Sequence, residues 1–196
     1  MNKKYSTIVI DPPWQYGKWS KPSSKAASRG FLVAAEYGLP YKYLTLEEIK
    51  KLELNDLMDD NCDVYLWTTQ KYLPESFKII NSWGLKYCQT LVWCKTPRGT
   101  GQGGVYTPNT EFLILARKGN MPHVKRVDST WWNVKRQKKH SQKPEFFQDM
   151  IEMVSNAPRL ELFARRKRKG WDVWGDEVEC DLQFNNYPLT TNVSYE

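Results

Sequence analysis

Seven residues near the N-terminus constrain the fold more than any other stretch: Ile8-Val9-Ile10-Asp11-Pro12-Pro13-Trp14. Three consecutive β-branched residues read as the end of a buried strand. Two prolines then end the ladder, because neither carries a backbone N–H. Asp11 precedes a proline, so its own backbone is held in an extended conformation. The turn therefore offers acceptors only, the Asp11 carboxylate and nearby carbonyls, and Trp14 adds a flat apolar face beside them. A planar group carrying an NH2 suits that corner. In open α/β sheets the carboxyl ends of the strands are where ligands bind.

The rest of the chain supplies a sheet for this strand to join. Ser6 to Ile10 is the first strand. Gln15 to Pro40 is polar and reads as a long mobile loop beside the corner, of the kind that serves as a lid or binding loop. Thr45-Leu46-Glu47-Glu48 is a capping box, and Leu46, Ile49 and Leu52 follow on one helical face. Residues 62–67 read as a buried strand. Leu73 to Trp83 is an amphipathic helix with Gly84 as its C-terminal cap. Residues 86–94 and Glu111 to Ala116 are strands, and 129–134 is an edge strand or irregular segment. Pro144 suits the first turn of a helix with Phe146, Phe147, Met150, Ile151 and Val154 on its apolar face. Residues 160–163 form a strand, and Trp171 to Glu177 closes the domain. Strands alternating with helices predict an α/β fold with a mostly parallel sheet covered on both faces. The expected domain is residues 1–180, followed by a loosely ordered tail, 181–196.

Charge and cysteine usage narrow the function classes. The net charge of +7 favours an anionic partner, with nucleic acid foremost. Lys135, Arg136, Lys138 and Lys139 are candidate phosphate contacts, which position a nucleic acid without reading its sequence. Arg165 to Lys169 is a second basic run, read either as a solvated loop or as a phosphate patch. Cys62, Cys88, Cys94 and Cys180 form no C-x-x-C pair, and His123 and His140 are the only histidines, so no structural zinc site is expected. Gly99, Gly101 and Gly104 match the letters of a dinucleotide fingerprint, but a strand rather than a helix follows, so that reading is rejected. With no leader or long apolar run, a soluble intracellular protein is expected.

Asp-Pro-Pro-Trp after a hydrophobic strand resembles the catalytic motif of the adenine-N6 methyltransferases of the MT-A70-like type. Later pieces resemble that family in order. They are Pro40-Tyr41, Leu44-Thr45 and Glu48-Ile49; Leu66-Trp67-Thr68; Val92-Trp93-Cys94-Lys95; Asn109 to Gly119; His140 to Pro144; Leu162-Phe163-Ala164-Arg165; Gly170-Trp171-Asp172; and Trp174 to Glu177. The resemblance runs from about Tyr5 to Val178. It implies a Rossmann-like methyltransferase fold, S-adenosylmethionine as methyl donor and the exocyclic amine of adenine as acceptor, with no metal. It departs from the family at Asp176, where relatives more often carry Asn. Relatives with longer N-terminal regions place part of the cofactor-adenine pocket upstream, so here that pocket is built differently or by a partner.

On this resemblance Asp11, Pro12, Pro13 and Trp14 are the catalytic set. The amine of adenine is a poor nucleophile because its lone pair is delocalised into the ring. Accepting both of its N–H groups, at the Asp11 carboxylate and the Pro12 carbonyl, would free that pair by preorganised electrostatics. The base must be flipped out of a duplex or already unpaired. Trp14 and Tyr41 are expected to border it. Trp67 and Trp93 read better as core aromatics. For the cofactor the resemblance offers Arg165 and Lys167 for the carboxylate or ribose and Asp176 or Glu177 for the ribose. Gln142 and Lys143 are near candidates, and Asp11 faces the cofactor amine. DNA is the expected substrate. The alternatives are RNA, or a catalytically silent scaffold that binds nucleic acid. Self-association or a partner subunit is also expected, in a bacterial or phage-infected cytoplasm, or in the nucleus of a eukaryote.

Overall fold

A computed structural model describes residues 3–16, 43–97, 105–120, 122, 124–137 and 142–184. The first strand, β1 (Tyr5–Ile10), is buried along its whole length. Helix α1 (Leu46–Lys50) carries the expected capping box: the Thr45 hydroxyl accepts from the Glu48 N–H, and the Glu48 carboxylate accepts from the Thr45 N–H. A 3-10 turn, Leu54–Asp56, leads into β2 (Met58–Thr69). Helix α2 (Leu73–Ser82) ends where Gly84 adopts φ +70°, a left-handed conformation that glycine takes without steric cost. Then come β3 (Lys86–Thr96), β4 (Thr110–Lys118) and β5 (Trp131–Lys135). Pro144 stands just before α3 (Glu145–Val154), at its N-cap rather than inside its first turn. Strands β6 (Arg159–Leu162) and β7 (Trp171–Trp174) complete the set.

These strands form one sheet in the order β5-β3-β4-β2-β1-β6-β7. Four of its neighbouring pairs are parallel; β4 runs antiparallel to both β2 and β3. The sheet is thus mixed, although mostly parallel as expected. The antiparallel strand follows from connectivity. The segment between β3 and β4 contains no helix among its described residues, and a return without a crossover brings a strand back antiparallel.

Side-chain alternation sorts the core onto two faces. Ile8, Ile10, Val64, Leu66, Ile114 and Ala116 pack with Ile49 of α1 and Ile79 and Ile80 of α2. Val9, Tyr65, Trp67, Leu91, Trp93 and Leu113 pack with Phe147, Met150 and Ile151 of α3. Strands covered on both faces in this way read as continuous apolar runs, which is why β1 was legible from three β-branched residues.

The ordering of the sheet positions the site. β1 pairs in parallel with β2 on one side and β6 on the other, with Ile10 opposite both Leu66 and Leu162. The chain runs on from β1 toward β2 and from β6 toward β7, in opposite directions, and the crevice at such a switch point is where α/β sheets bind ligands. Asp11 is the next residue.

The far end of the sheet is tightly closed. Phe163 follows β6 with φ 63°, a conformation that bulky residues rarely adopt. Gly175 follows β7, and a Cβ there would lie 2.2 Å from the Ala164 carbonyl oxygen and 2.7 Å from its nitrogen. Both clashes are with backbone, so Gly175→Ala is expected to destabilise the fold by about 1–3 kcal/mol. A thermal melt checks this, with roughly 2–4 °C lost per kcal/mol for a domain of this size.

The chain past β7 remains docked. The Asp181 N–H donates to the Val173 carbonyl at 2.9 Å, and the Val173 N–H donates to the Asp181 carboxylate at 2.9 Å. Leu182 and Phe184 pack on the core, with Phe184 5.3 Å from the Trp174 ring. The boundary expected at 180 therefore falls inside a packed segment; residues 185–196 lie outside the described ones.

Candidate active site

The acceptor corner is built as its sequence requires. The Asp11 N–H donates to the Leu162 carbonyl of β6 at 3.4 Å, and the Trp14 N–H donates to the Pro12 carbonyl at 2.8 Å. The Pro13 carbonyl accepts from the Leu44 N–H at 2.9 Å. A carbonyl has two lone pairs, so the Pro12 oxygen retains one for a further donor.

Trp14, expected to border the base, is packed into the end of the sheet. It is 4% exposed, its ring stacks on Tyr72 at 4.9 Å, and its indole N–H donates to the Trp67 carbonyl at 3.2 Å. This ring staples the end of β1 to the end of β2 and leaves little surface for a substrate base.

The Asp11 carboxylate is engaged by a residue 132 positions away. Lys143 Nζ donates to Asp11 Oδ1 at 2.9 Å and to Oδ2 at 2.7 Å. The same ammonium lies 3.5 Å from the Glu111 carboxylate and 5.4 Å from the Trp67 ring centroid. Glu111 also pairs with Lys95, whose ammonium sits 4.9 Å from the Trp93 ring. The four charges alternate in sign along the carboxyl edge of the sheet: Lys95, Glu111, Lys143, Asp11. Their side chains are 12–24% exposed, so solvent screens them weakly. Trp67 and Trp93 are each 3% exposed and form the floor beneath the ammonium groups, with Phe147 edge-on at 5.0 Å from Trp67. They are core aromatics, as their sequence context suggested.

Protonation in this row follows from burial and sign. Burial pushes the Asp11 carboxyl above the usual carboxylate range, against the pull of Lys143. Burial alone would raise Glu111 too, but Lys143 and Lys95 together hold it below its ordinary value. Burial opposes the charge on Lys143, and the carboxylates of Asp11 and Glu111 outweigh it, so Lys143 stays an ammonium. An ionised carboxylate has about four lone-pair sites. Lys143 takes two, so Asp11 can accept from a second donor without releasing the lysine. Acceptance requires the ionised form. The acid limb of the pH profile of kcat/KM is therefore expected above the ordinary aspartate range, and a profile flat down to about pH 4 would contradict the assignment.

The other sequence candidates separate into groups. Arg165 follows β6 and pairs with Glu177 at 2.6 Å, and its charge is felt at Asp11. Asp176 and Glu177 are exposed just after β7. Gln142 is half-buried beside Lys143. These groups lie on the same edge as Asp11. Lys167 is instead tied to the tail, 3.3 Å from Glu179 and 3.2 Å from Asp181. The basic run 165–169 is largely neutralised within the protein. Arg168 reaches Glu145, Asp149 and Glu152 of α3 at 2.7, 2.5 and 2.6 Å, and Arg166 pairs with Glu145. It is neither a bare solvated loop nor an open phosphate patch. Lys135 and Arg136 lie at and just past the end of β5. Tyr41, Lys138 and Lys139 lie outside the described residues.

Sequence reasoning missed Glu111 and Lys95. Their signal was present: each is a charge at the site end of an otherwise apolar strand, where burial is tolerated only with a partner.

The donor set also suits S-adenosylmethionine. Asp11 offers an anionic partner for its cationic groups, and the Arg165–Glu177 pair offers complementary groups for a carboxylate and a diol.

Comparison with known proteins agrees with this geometry. The MT-A70 family model matches residues 5–177. The type II methyltransferase M.MunI of Mycoplasma is 32% identical over 186 residues, spanning 90% of this chain and 78% of that protein. The human N(6)-adenosine-methyltransferase catalytic subunit METTL3 is 25% identical over 90% of this chain but 28% of its own length. The human N(6)-adenine-specific methyltransferase METTL4 is 28% identical, again over 90% of this chain and 38% of its own. A match across 173 consecutive positions, with a donor-free Asp-Pro-Pro-Trp corner at the switch point of the sheet, places this chain in the MT-A70 family of adenine-N6 methyltransferases.

Proposed function

We propose that this protein transfers a methyl group from S-adenosylmethionine to the N6 amine of adenine in DNA. The observation that carries this is Asp11: a half-buried carboxylate at the switch point, fixed by Lys143, with acceptor capacity to spare and an open carbonyl lone pair on Pro12 beside it. When bound, the cofactor supplies an electrophilic methyl group. Asp11 and the Pro12 carbonyl accept the two N–H groups of the amine. They turn its lone pair out of the ring and toward the methyl carbon. Lys143 keeps Asp11 ionised and oriented, and Trp14 keeps the corner rigid from beneath. The proton that leaves the methylated amine goes by way of Asp11 to solvent.

DNA is favoured over RNA because the type II methyltransferase is matched over most of its own length, whereas the adenosine-named relatives are matched over about a quarter of theirs. A target in duplex has to be unpaired first, because the N6 amine is engaged in the base pair. Self-association or a partner subunit, which could complete the cofactor pocket, is part of the same reading. No described helix is long and apolar enough to cross a membrane.

The deciding experiment offers labelled S-adenosylmethionine with matched adenine-containing DNA and RNA oligonucleotides. Label in DNA is the expected result. Label in RNA alone would reassign the substrate. Nucleic-acid binding without label on any adenine polymer would favour a silent scaffold.

A further inference from the structure

The two basic runs read from the sequence sit in different settings in the fold. Along the carboxyl edge, Lys95, Lys143, Arg165, Arg166, Lys167 and Arg168 are each paired with a carboxylate. Among the described residues, Lys135 and Arg136 pair with none. Arg136 is pinned through its backbone, its N–H donating to the Thr96 carbonyl at 2.8 Å, and its Nε is buried without a hydrogen-bond partner.

The strand that leads to Arg136 has an unusual exposed face. β5 is the edge of the sheet, and its side chains alternate. Trp132 and Val134 pack toward α3, while Trp131, Asn133 and Lys135 are exposed on the other face. Trp131 is 58% exposed, a large amphipathic ring on a rigid strand with nothing stacked on it among the described residues. It lies opposite Val92 of β3, and Lys135 lies opposite Thr96. From Trp131 to Lys135 the strand rises about 13 Å toward the catalytic edge.

The geometry points to β5 as the seat of the unpaired DNA strand flanking the target, with Trp131 stacking a base and Lys135, on the same face, taking a backbone phosphate. An aromatic platform interleaved with cations is the chemistry of single-strand binding, and it tolerates any base because every base has a π-face. Four strand spacings, about 19 Å of sheet, separate β5 from β1. The surface therefore holds neighbouring nucleotides and leaves the target base to Asp11. This inference rests on the proposed function, since it presumes a nucleic-acid substrate.

The test measures binding of a fluorescein-labelled, adenine-containing single-stranded DNA by anisotropy across a salt series, alongside steady-state methylation. Trp131→Ala is expected to weaken binding roughly 5- to 150-fold and to raise KM with kcat at saturation unchanged. Trp131→Phe should retain most of the affinity. Lys135→Ala should lower the slope of log affinity against log salt by about 0.7, with Lys135→Arg restoring it. Lys118→Ala, at the opposite end of the sheet, should leave the slope as it was. Wild-type affinity and slope in both Trp131→Ala and Lys135→Ala would overturn the inference. So would a Trp131→Ala protein that sediments as a smaller species than wild type while DNA affinity holds, since the face would then join two copies of the chain. Failure of the wild-type protein to methylate any adenine polymer would instead sink the proposed function, and the binding data would still decide the surface.

Discussion

Asparagine at position 11 is expected to cut kcat for adenine methylation by about 10²–10³-fold while leaving the protein folded. The substitution keeps the shape of the corner and removes the charge. It also turns one acceptor into an NH2 donor, which then faces the Lys143 ammonium. The remaining oxygen cannot serve both the lysine and the substrate amine as the carboxylate does. Folding survives because Lys143 retains a second carboxylate, Glu111, 3.5 Å away. The measurement is single-turnover methyl transfer with a thermal melt of the same preparation. Activity within tenfold of wild type, on a normally folded protein, would remove Asp11 from the chemistry.

Methionine at position 143 is expected to act on stability as well as rate. It preserves the stem that lies against Trp67 and deletes the ammonium that Asp11 and Glu111 share. Leaving Asp11 without its cation, and Glu111 with Lys95 alone, costs about 3–5 kcal/mol, equivalent to a fall in Tm of roughly 10 °C for a domain of this size. The penalty should depend on pH in a definite direction. Asp11 is already raised by burial, and Glu111 loses a cation that held it down. A carboxyl whose folded pKa lies above its unfolded value favours folding at low pH and loses that contribution as pH rises through the folded pKa. The gap between variant and wild type should therefore be smallest in acid and widen toward neutrality. Denaturant melts at several pH values check this; a constant gap would mean that the ammonium is not what compensates the two acids.

The parts of this fold that were legible in the sequence are those set by local rules. Consecutive β-branched residues marked β1, the capping box marked α1, and Gly84 marked the end of α2. Asp11 was legible because a proline pair after a buried strand has few conformations. The direction of β4 was not, since Glu111 to Ala116 has the same apolar pattern whichever way it runs. The burial of Trp14 was hidden for a related reason: an indole can lid a pocket or staple two strands, and only Tyr72 on the next connection decides between them. The fate of the 165–169 run depended on a helix elsewhere. Glu145, Asp149 and Glu152 fall on one face of α3 at helical spacing, a pattern that is visible in the sequence but gains meaning only once Arg168 is placed over it.

The 132-residue separation of Asp11 and Lys143 has a consequence for how the enzyme comes into being. The acceptor is synthesised well before the lysine that pairs with it and before β6, the strand that flanks it. No nascent fragment short of that point holds a competent centre. Contacts so distant along the chain also close slowly. A nascent chain is thus expected to stay inert until both Lys143 and β6 have been made, and a stop between Asp11 and β6 is expected to leave the motif without the partners that hold it.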